Sequence, residues 1–373
     1  MRVGVPKEIK KDEYRVGLTP AAVREYVAQG HQVVVETGLG LGIGADDAAY
    51  RAAGAEIAAT PQDIFASADM IVKVKEPQAA EWAQLRRGQI LFTYLHLASD
   101  RAQTEGLLAS GVTAIAYETV IDPKGGLPLL HPMSEVAGRL SIQAAARCQE
   151  KVMGGSGLLL GGVAGVAQAR VVVIGGGVVG TEAARMAVGL GADVTIIDRS
   201  LRRLRELDEL FTGRVRTLYS TVEALEQAVI AADVVIGAVL IPGATAPKLV
   251  TRAMIAAMKP GSVLVDVAID QGGCFETSHA TTHSDPVFVI DEVIHYCVAN
   301  MPGAVPRTSA HALNNATLPY GLALAARGLG ALSSVPGLRE GLNVHEGQLY
   351  SRPVADSLGI AYAGDAALAA GGR

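Results

Sequence analysis

The chain has 373 residues and a formal net charge of −5; 50% of its residues are hydrophobic but only 4% are aromatic. This length predicts two domains, each able to bury its own core. The acidic balance argues against a basic face for nucleic acid, and three cysteines without a Cys-x-x-Cys pair favour a reduced, cytoplasmic setting.

The first third of the chain alternates strand and helix patterns. Thr19 and Pro20 predict the N-cap and the first turn of a helix that ends before Gly30. Strands are predicted over residues 2–6, 31–36, 68–75, 89–97 and 112–117. This alternation is typical of a parallel sheet with helices on its faces.

The middle of the chain follows a boundary at residues 122–132, where proline and glycine recur. A long helix is predicted from 133 or 134 to 151, with Ser134 as its candidate cap. The uncharged segment 152–169 contains six glycines, so we interpret it as packed loop rather than as a membrane span. From residue 170 to 299 the alternation predicts a six-stranded doubly wound domain.

Proline and glycine crowd residues 300–306 and mark a second boundary. A helix is predicted over 308–329, and the remaining residues are too few for a domain of their own. The sequence therefore predicts the α/β class with two doubly wound domains: a Rossmann domain of residues 129–306 is inserted into a discontinuous domain of residues 1–128 and 307–373. The amino end also lacks the apolar stretch of a secretory signal.

The stretch 169–198 carries the clearest signal for a ligand. A strand pattern leads into Gly175, Gly177 and Gly180, and helical spacing and a second strand follow, which ends at Asp198. The first glycine permits a tight turn, the second lets the backbone approach a pyrophosphate, and the third allows helix and strand to pack closely. The free N–H groups of the helix then favour the pyrophosphate. These features predict a dinucleotide site.

Asp198 indicates which dinucleotide binds. It follows the third glycine by 198 − 180 = 18 residues, close to the spacing of about 20 at which an acid bonds the adenosine ribose. A carboxylate there repels a 2′-phosphate, so the sequence favours NAD. Arg199 and Arg203 lie nearby and leave NADP open.

Cationic residues that follow predicted strands are candidates for substrate binding, because ligands of open α/β sheets bind beyond the carboxyl ends of the strands. Lys73 and Lys75 alternate with valines, and Lys75 lies nearer the strand end. The alternative is a pair of solvated edge-strand lysines. Arg15 carries the guanidinium that clamps carboxylates, and its alternative is an exposed surface loop.

His96 and Asp270 are the candidates for proton transfer. His96 follows an apolar strand, and histidine exchanges protons near neutral pH. Its alternative is a buried, hydrogen-bonded histidine. Asp270 follows a strand of the second domain and precedes two glycines, whereas Asp266 lies within the strand and is interpreted as structural.

Other chemistries find little support. His279 and His283 have the i, i+4 spacing of helical metal ligands, but nothing near them completes a zinc set, so no metal is expected. The sequence also lacks a Gly-x-Ser-x-Gly motif in a strand-to-helix setting and a clear pair of catalytic carboxylates.

Seven segments together resemble the alanine dehydrogenase family along nearly the whole chain. They read MRVGVPKEIKKDEYRVGLTP, KVKEP, TYLHLA, PLLHPMSEVAGRL, VVVIGGGVVG with IIDRS, LVDVAIDQGGC, and NMPGAVPRTS. The related transhydrogenase α-subunit, which is linked to a membrane, shares several of these segments, so no single motif decides between the two.

The resemblance implies reversible, NAD-dependent deamination of L-alanine to pyruvate and ammonium by a homohexamer without nucleic-acid or membrane partners. It implies that Arg15 and Lys75 bind the substrate and that His96 and Asp270 exchange protons, with the principal base left open. The cofactor-binding residues it implies are Ser134, Gly175, Gly177, Val178, Val179, Gly180, Asp198, Arg203, Ser220, Val239, Leu240, Val267, Asn300 and Met301.

Three other functions are alternatives to an alanine dehydrogenase. An opine-type or saccharopine-like dehydrogenase joins an amino acid to a keto acid and needs a larger pocket. A nucleotide-binding subunit that serves a membrane partner needs no complete set of substrate groups. A catalytically silent NAD-binding protein is disfavoured, because four charged side chains at a crevice are costly without a ligand.

Overall fold

The structure of the chain is a computed structural model that describes residues 1–239 and 246–364. Its strands are β1 (Arg2–Val5), β2 (Gln32–Glu36), β3 (Glu56–Ala58), β4 (Met70–Val72), β5 (Ile90–Thr93), β6 (Thr113–Ala116), β7 (Arg170–Ile174), β8 (Asp193–Asp198), β9 (Arg216–Tyr219), β10 (Val234–Gly237), β11 (Val263–Asp266), β12 (Val287–Ile290), β13 (Val293–Tyr296), β14 (Leu342–His345) and β15 (Gln348–Leu349).

The helices follow the same alternation with the strands. They are α1 (Pro20–Ala28), α2 (Asp47–Ala52), α3 (Pro61–Ser67), α4 (Ala79–Trp82), α5 (Arg101–Ser110), α6 (His131–Cys148), α7 (Val178–Gly189), α8 (Leu201–Phe211), α9 (Val222–Ala231), α10 (Arg252–Ala256), α11 (Pro306–Arg327), α12 (Ala331–Ser334) and α13 (Arg352–Leu358).

The chain divides into two compact units. The first unit comprises Met1–Met133 and the chain from Val305 onward, and the second comprises Ser134–Ala304. Among the described residues, no helix combines the length and the apolar character that a bilayer crossing requires.

The sheet of the first unit has the order β15-β14-β6-β5-β4-β1-β2-β3. Its strands from β6 to β3 are parallel, in the 3-2-1-4-5-6 order of a doubly wound fold. Strand β14 adds antiparallel to β6, with Leu342 opposite Ile115. Strand β14 thus places residues of the carboxyl-terminal segment in the sheet of the first unit.

The sheet of the second unit has the order β12-β13-β11-β10-β7-β8-β9. The six strands from β13 to β9 are parallel in the Rossmann order, and β12 adds an antiparallel edge strand. The α/β class with two doubly wound domains is confirmed, although this sheet has seven strands where six were predicted. The extra strand follows from a hairpin between Val287 and Tyr296.

Capping explains where several helices begin. The side chain of Thr19 accepts a hydrogen bond from Ala22 N at 3.3 Å and Pro20 opens α1, which confirms that start. Helix α6 begins at His131, however, so Ser134 lies inside the helix and the prediction that it caps the helix is wrong.

Segment 152–169 contains no α-helix, in agreement with a loop.

Candidate active site

Three candidate side chains of the first unit follow adjacent strands. Arg15 lies between β1 and α1, Lys75 follows β4, and His96 follows β5. Strands β1, β4 and β5 are neighbours and parallel, so their carboxyl ends meet at one edge of the sheet. The structure thus brings these three residues to the edge where ligands of such sheets bind.

Arg15 is buried rather than on an exposed loop, since its relative exposure is only 3%. Its Nε donates to Glu13 Oε1 at 2.7 Å and its Nη2 to Glu13 Oε2 at 2.5 Å. A third contact joins its Nη1 to Met133 Sδ at 3.1 Å. Burial alone lowers the pKa of Arg15, but the hydrogen bonds and the charge of Glu13 outweigh it and raise the pKa. The guanidinium is therefore a fixed cation.

The two lysines after β4 differ in their surroundings. Lys73 is completely buried, with its Nζ 2.9 Å from Glu8 Oε2 and 2.8 Å from Glu81 Oε1. Lys75 is partly buried, and its Nζ lies 4.0 Å from Glu76 Oε2. Strand β4 lies inside the sheet and ends at Val72, so the alternative of solvated edge-strand lysines is wrong.

His96 lies in a strained backbone conformation with φ of 51°. Its ring stacks on Tyr94, with centroids 5.7 Å apart and planes 5° from parallel. The Tyr94 hydroxyl donates to Leu129 O at 2.6 Å, and Glu118 accepts a hydrogen bond from His96 N at 2.6 Å. The side chain of His96 is 43% exposed, so the alternative of a buried histidine is wrong.

The glycine turn of the second unit has the geometry that the sequence predicts. Gly175 has φ of +100°, and a Cβ on Gly180 would lie 1.8 Å from Gly175 O, which only glycine avoids. A Cβ on Gly177 would meet only open space. Gly177 is the N-cap of α7 and no side chain caps this helix. The start of α7, with the N–H groups of Val178 and Val179, is therefore not covered by a side chain at position 177, and N–H groups at a helix start are the kind that bind anions.

Asp198 ends β8 and bonds directly to the glycine turn. Its Oδ2 accepts from Gly176 N at 2.7 Å, and its Oδ1 accepts from Ser200 N at 2.7 Å. Arg203 donates from Nε to Gly176 O at 2.7 Å, and Ser220 N donates to Asp198 O at 3.0 Å. The structure therefore brings these cofactor candidates together around one turn.

Ser134 belongs to the helix that packs on this turn. Gly138 lies one helical turn after Ser134 on α6, and a Cβ at Gly138 would lie 2.3 Å from Val179 O. Residues at i and i+4 share a helix face. Ser134 is therefore on the face of α6 that meets the start of α7.

The remaining candidates follow other parallel strands of the same sheet. Val239 comes after β10, and its Cγ2 would lie 3.2 Å from a Cβ at Gly175. Asn300, with φ of 60°, and the buried Met301 follow β13. Leu240 lies outside the described residues.

Val267 and Asp270 lie in a short 3-10 helix, Val267–Gln271, directly after β11, and Asp270 is exposed. Buried Asp266 holds both ends of the segment that carries Asp270, because it accepts from Ala268 N at 3.2 Å, Cys274 N at 3.0 Å and Ser278 Oγ at 2.5 Å. Burial raises the pKa of Asp266, and these hydrogen bonds lower it in part. The structural interpretation of Asp266 is confirmed.

The two histidines with helical spacing have other partners. The His279 ring stacks on Phe288 at 3.7 Å, and His283 Nε2 lies 3.2 Å from Asn300 O. Within residues 1–239 and 246–364, no group of three or more histidine, cysteine, aspartate or glutamate side chains is arranged to hold a metal ion.

Sequence reasoning missed the partners of the candidate residues. Each of the candidates Lys75, Arg15 and His96 is contacted by residues that were not singled out: Glu8, Glu13, Tyr94 and Glu118. Glu13 offered a signal, because a carboxylate two residues from Arg15 can pair with it. Glu118 offered none, since it lies 22 residues from His96 and meets it only through the pairing of β5 with β6.

Both parts of the chain match one family. Residues 4–137 match the alanine dehydrogenase/PNT N-terminal domain, and residues 141–352 match the alanine dehydrogenase/PNT C-terminal domain.

Similar proteins agree with this match. An alanine dehydrogenase of Halomonas elongata is 59% identical over 369 residues, which cover 99% of this chain and 100% of that protein. A solved structure of L-alanine dehydrogenase superposes with a TM-score of 0.94 at 53% identity, over 96% of this chain and 99% of that one. The transhydrogenase of Sinorhizobium meliloti superposes with a TM-score of 0.81 at 26% identity, over 94% and 99%.

Proposed function

Because the chain belongs to the alanine dehydrogenase/PNT family, we propose that it is an NAD-dependent L-alanine dehydrogenase. It converts L-alanine, NAD and water reversibly to pyruvate, ammonium and NADH. The observation that carries this proposal is the presence of Arg15, Lys75 and His96 in the segments that follow three adjacent strands. A protein that only binds a dinucleotide has no need of them.

In this proposal, the first unit is the substrate domain. Arg15 clamps the substrate carboxylate, a role that its buried pairing with Glu13 supports because the pair keeps the guanidinium charged and oriented. Lys75 bonds the carboxylate and carbonyl region. Held at two points, the substrate presents its α-carbon in one orientation, which is a proximity effect.

In the same proposal, the second unit is the domain that binds NAD. The glycine turn and the N–H groups of α7 hold the pyrophosphate, and Asp198 bonds the ribose. The further residues that line the cofactor are Ser134, Val178, Val179, Arg203, Ser220, Val239, Leu240, Val267, Asn300 and Met301. Nicotinamide supplies the hydride acceptor for alanine oxidation.

Proton transfer is assigned to His96 and Asp270. Loss of hydride from the α-carbon gives an imine, which water attacks to form a carbinolamine, and protons must move at both steps. The exposed ring of His96 and the exposed carboxylate of Asp270 are accessible to such protons. Variants of His96 and of Asp270 test which of the two residues is the principal base.

We further propose that the enzyme works in the cytoplasm as a homohexamer. Three free, buried cysteines support the reducing compartment, because none depends on oxidation. The hexamer follows from the family resemblance. Sedimentation of the purified chain at micromolar concentration tests it.

The test of the proposed function is NADH consumption by the purified chain with pyruvate and ammonium. We expect turnover that requires both, and His96→Ala should lose turnover while still binding NADH. No consumption despite NADH binding contradicts the proposal and favours a nucleotide-binding subunit. Turnover only with a bulky amine in place of ammonium favours an opine-type dehydrogenase. A parallel assay with NADPH tests the cofactor.

A further inference from the structure

The carboxylate of Glu118 lies where two backbone N–H groups converge. Its Oε1 accepts hydrogen bonds from Leu95 N at 3.1 Å and from His96 N at 2.6 Å. Both donors lie beyond the ladder of β5 and β6, which ends at the pair Thr93 and Ala116. The Glu118 side chain therefore continues the hydrogen bonding of the sheet past its last backbone pair.

This contact acts on a residue whose backbone is strained. His96 has φ of 51°, in the left-handed region of the backbone. A residue with a Cβ keeps this conformation when its surroundings hold it there. On its other side, the His96 carbonyl accepts from Ser99 N at 3.2 Å and Ser99 Oγ at 2.9 Å. Glu118 supplies the bonds on the N–H side, so the backbone of His96 is fixed from both directions.

Glu118 itself is held independently of His96. It is the middle residue of the turn Tyr117–Thr119. The Tyr117 ring packs edge-on against Phe92 at 4.4 Å, and Asn343 Nδ2 donates to Thr119 Oγ1 at 2.9 Å. Changes at the end of the Glu118 side chain leave both of these anchors in place.

We propose that Glu118 is a positioning residue that fixes the backbone of His96 and thereby aims its imidazole at the substrate. The inference rests on the proposed function, in which His96 exchanges protons. The Glu118 side chain is mostly buried, whereas the imidazole that it orients is exposed to ligand. The same Oε1 of Glu118 lies 3.8 Å from His96 Nδ1, beyond hydrogen-bond distance. We therefore expect the contact to depend on an acceptor at a set distance from the two backbone N–H groups, which a neutral side chain of the same length also supplies.

Two variants separate reach from charge. Glu118→Gln keeps an acceptor oxygen at the same distance and removes the charge. Glu118→Asp keeps the charge but is one methylene shorter. We expect Glu118→Gln to retain kcat within a few-fold, and Glu118→Asp to lose about 10- to 100-fold in kcat. The KM for NADH should stay unchanged in both, because Glu118 and the glycine turn belong to different units.

A matched control is Glu105→Asp. Glu105 belongs to the same unit, but it is exposed and pairs with Arg101 across the surface. It should behave as wild type. An active Glu118→Asp together with an inactive Glu118→Gln overturns the proposal. The site would then require the charge of Glu118 and not the length of its side chain.

Backbone amide exchange tests the contact without any turnover. We expect the amides of Leu95 and His96 to exchange at wild-type rates in Glu118→Gln and faster in Glu118→Asp. Unchanged exchange in Glu118→Asp contradicts the proposal. If the wild-type chain consumes no NADH, the proposed function fails, but the exchange comparison still decides whether Glu118 fixes this backbone.

Discussion

The guanidinium of Arg15 and the carboxylate of Glu13 form a two-point ion pair inside the first unit, with separations of 2.7 and 2.5 Å. Both side chains are almost completely buried. A pair of this kind is strongly destabilising to break, because the remaining charge stays out of water. It also sets the direction in which the guanidinium faces.

The first prediction is that Glu13→Gln destabilises the chain and weakens substrate binding. The amide places a donor against a donor of Arg15, so we expect a loss of about 3 kcal/mol in the free energy of unfolding. The KM for pyruvate should rise as Arg15 loses its orientation. Urea denaturation and steady-state kinetics measure the two effects. Glu105→Gln removes an exposed ion pair with Arg101 and should cost less than about 1 kcal/mol; equal losses in the two variants contradict the prediction.

A second prediction concerns the buried cation Lys73. Lys73→Met leaves the carboxylates of Glu8 and Glu81 in the interior without their cation. We expect a loss of about 3 to 5 kcal/mol at neutral pH. In Glu8→Gln/Lys73→Met one of the two carboxylates is gone, so this double variant should be more stable than Lys73→Met alone.

The loss in Lys73→Met should depend on pH with a definite sign. Burial raises the pKa of Glu8, and Lys73 lowers it in part. Without Lys73 the folded-state pKa rises further above the unfolded value. The folded variant then binds the proton more tightly than the unfolded chain, so its stability increases as pH falls. Denaturation at pH 5 and pH 8 should show a smaller gap to wild type at pH 5; a constant gap contradicts this reasoning.

A third prediction compares two glycines of α7. Gly180→Ala places a Cβ 1.8 Å from Gly175 O, so helix and turn must separate, whereas a Cβ at Gly189 meets only open space. We expect Gly180→Ala to cost at least about 1 to 3 kcal/mol and to weaken NADH binding. Gly189→Ala should be neutral or stabilise by up to about 1 kcal/mol. Thermal unfolding and NADH fluorescence measure both, and tight NADH binding by Gly180→Ala would falsify the assignment of the turn.

The glycine turn was predictable because every part of it lies within thirty residues. The turn, the helix and Asp198 are set by local backbone geometry, which the sequence displays directly. The doubly wound order follows in the same way from the alternation of strand and helix patterns.

The surroundings of the cationic residues were not predictable from pattern. Lys73 and Lys75 alternate with valines as in an edge strand, but β4 stops at Val72 and lies between β1 and β5. The burial of Lys73 then depends on Glu8 and Glu81, whose approach follows from tertiary packing. Local spacing contains no information about such partners, which is why the surroundings of each cation required the structure.

The last prediction concerns cofactor choice. Both carboxylate oxygens of Asp198 already accept backbone N–H groups, from Gly176 and Ser200. A carboxylate oxygen has two lone pairs, so each retains one for a ribose hydroxyl. Asp198 braces the glycine turn, and the proposed function gives it a second, separable role, which is to repel a 2′-phosphate.

Asp198→Ala should therefore weaken NADH binding and, more sharply, relax cofactor choice. We expect the ratio of kcat/KM for NADH to that for NADPH to fall at least about tenfold, since like charges brought together cost several kcal/mol. Exposed Arg199 then becomes a partner for the added phosphate, so Asp198→Ala/Arg199→Ala should restore part of the ratio. Asp208→Ala removes an exposed acid of the same unit and should leave the ratio unchanged. Equal loss with both cofactors in Asp198→Ala limits Asp198 to bracing the turn, and the preference for NAD must then arise elsewhere.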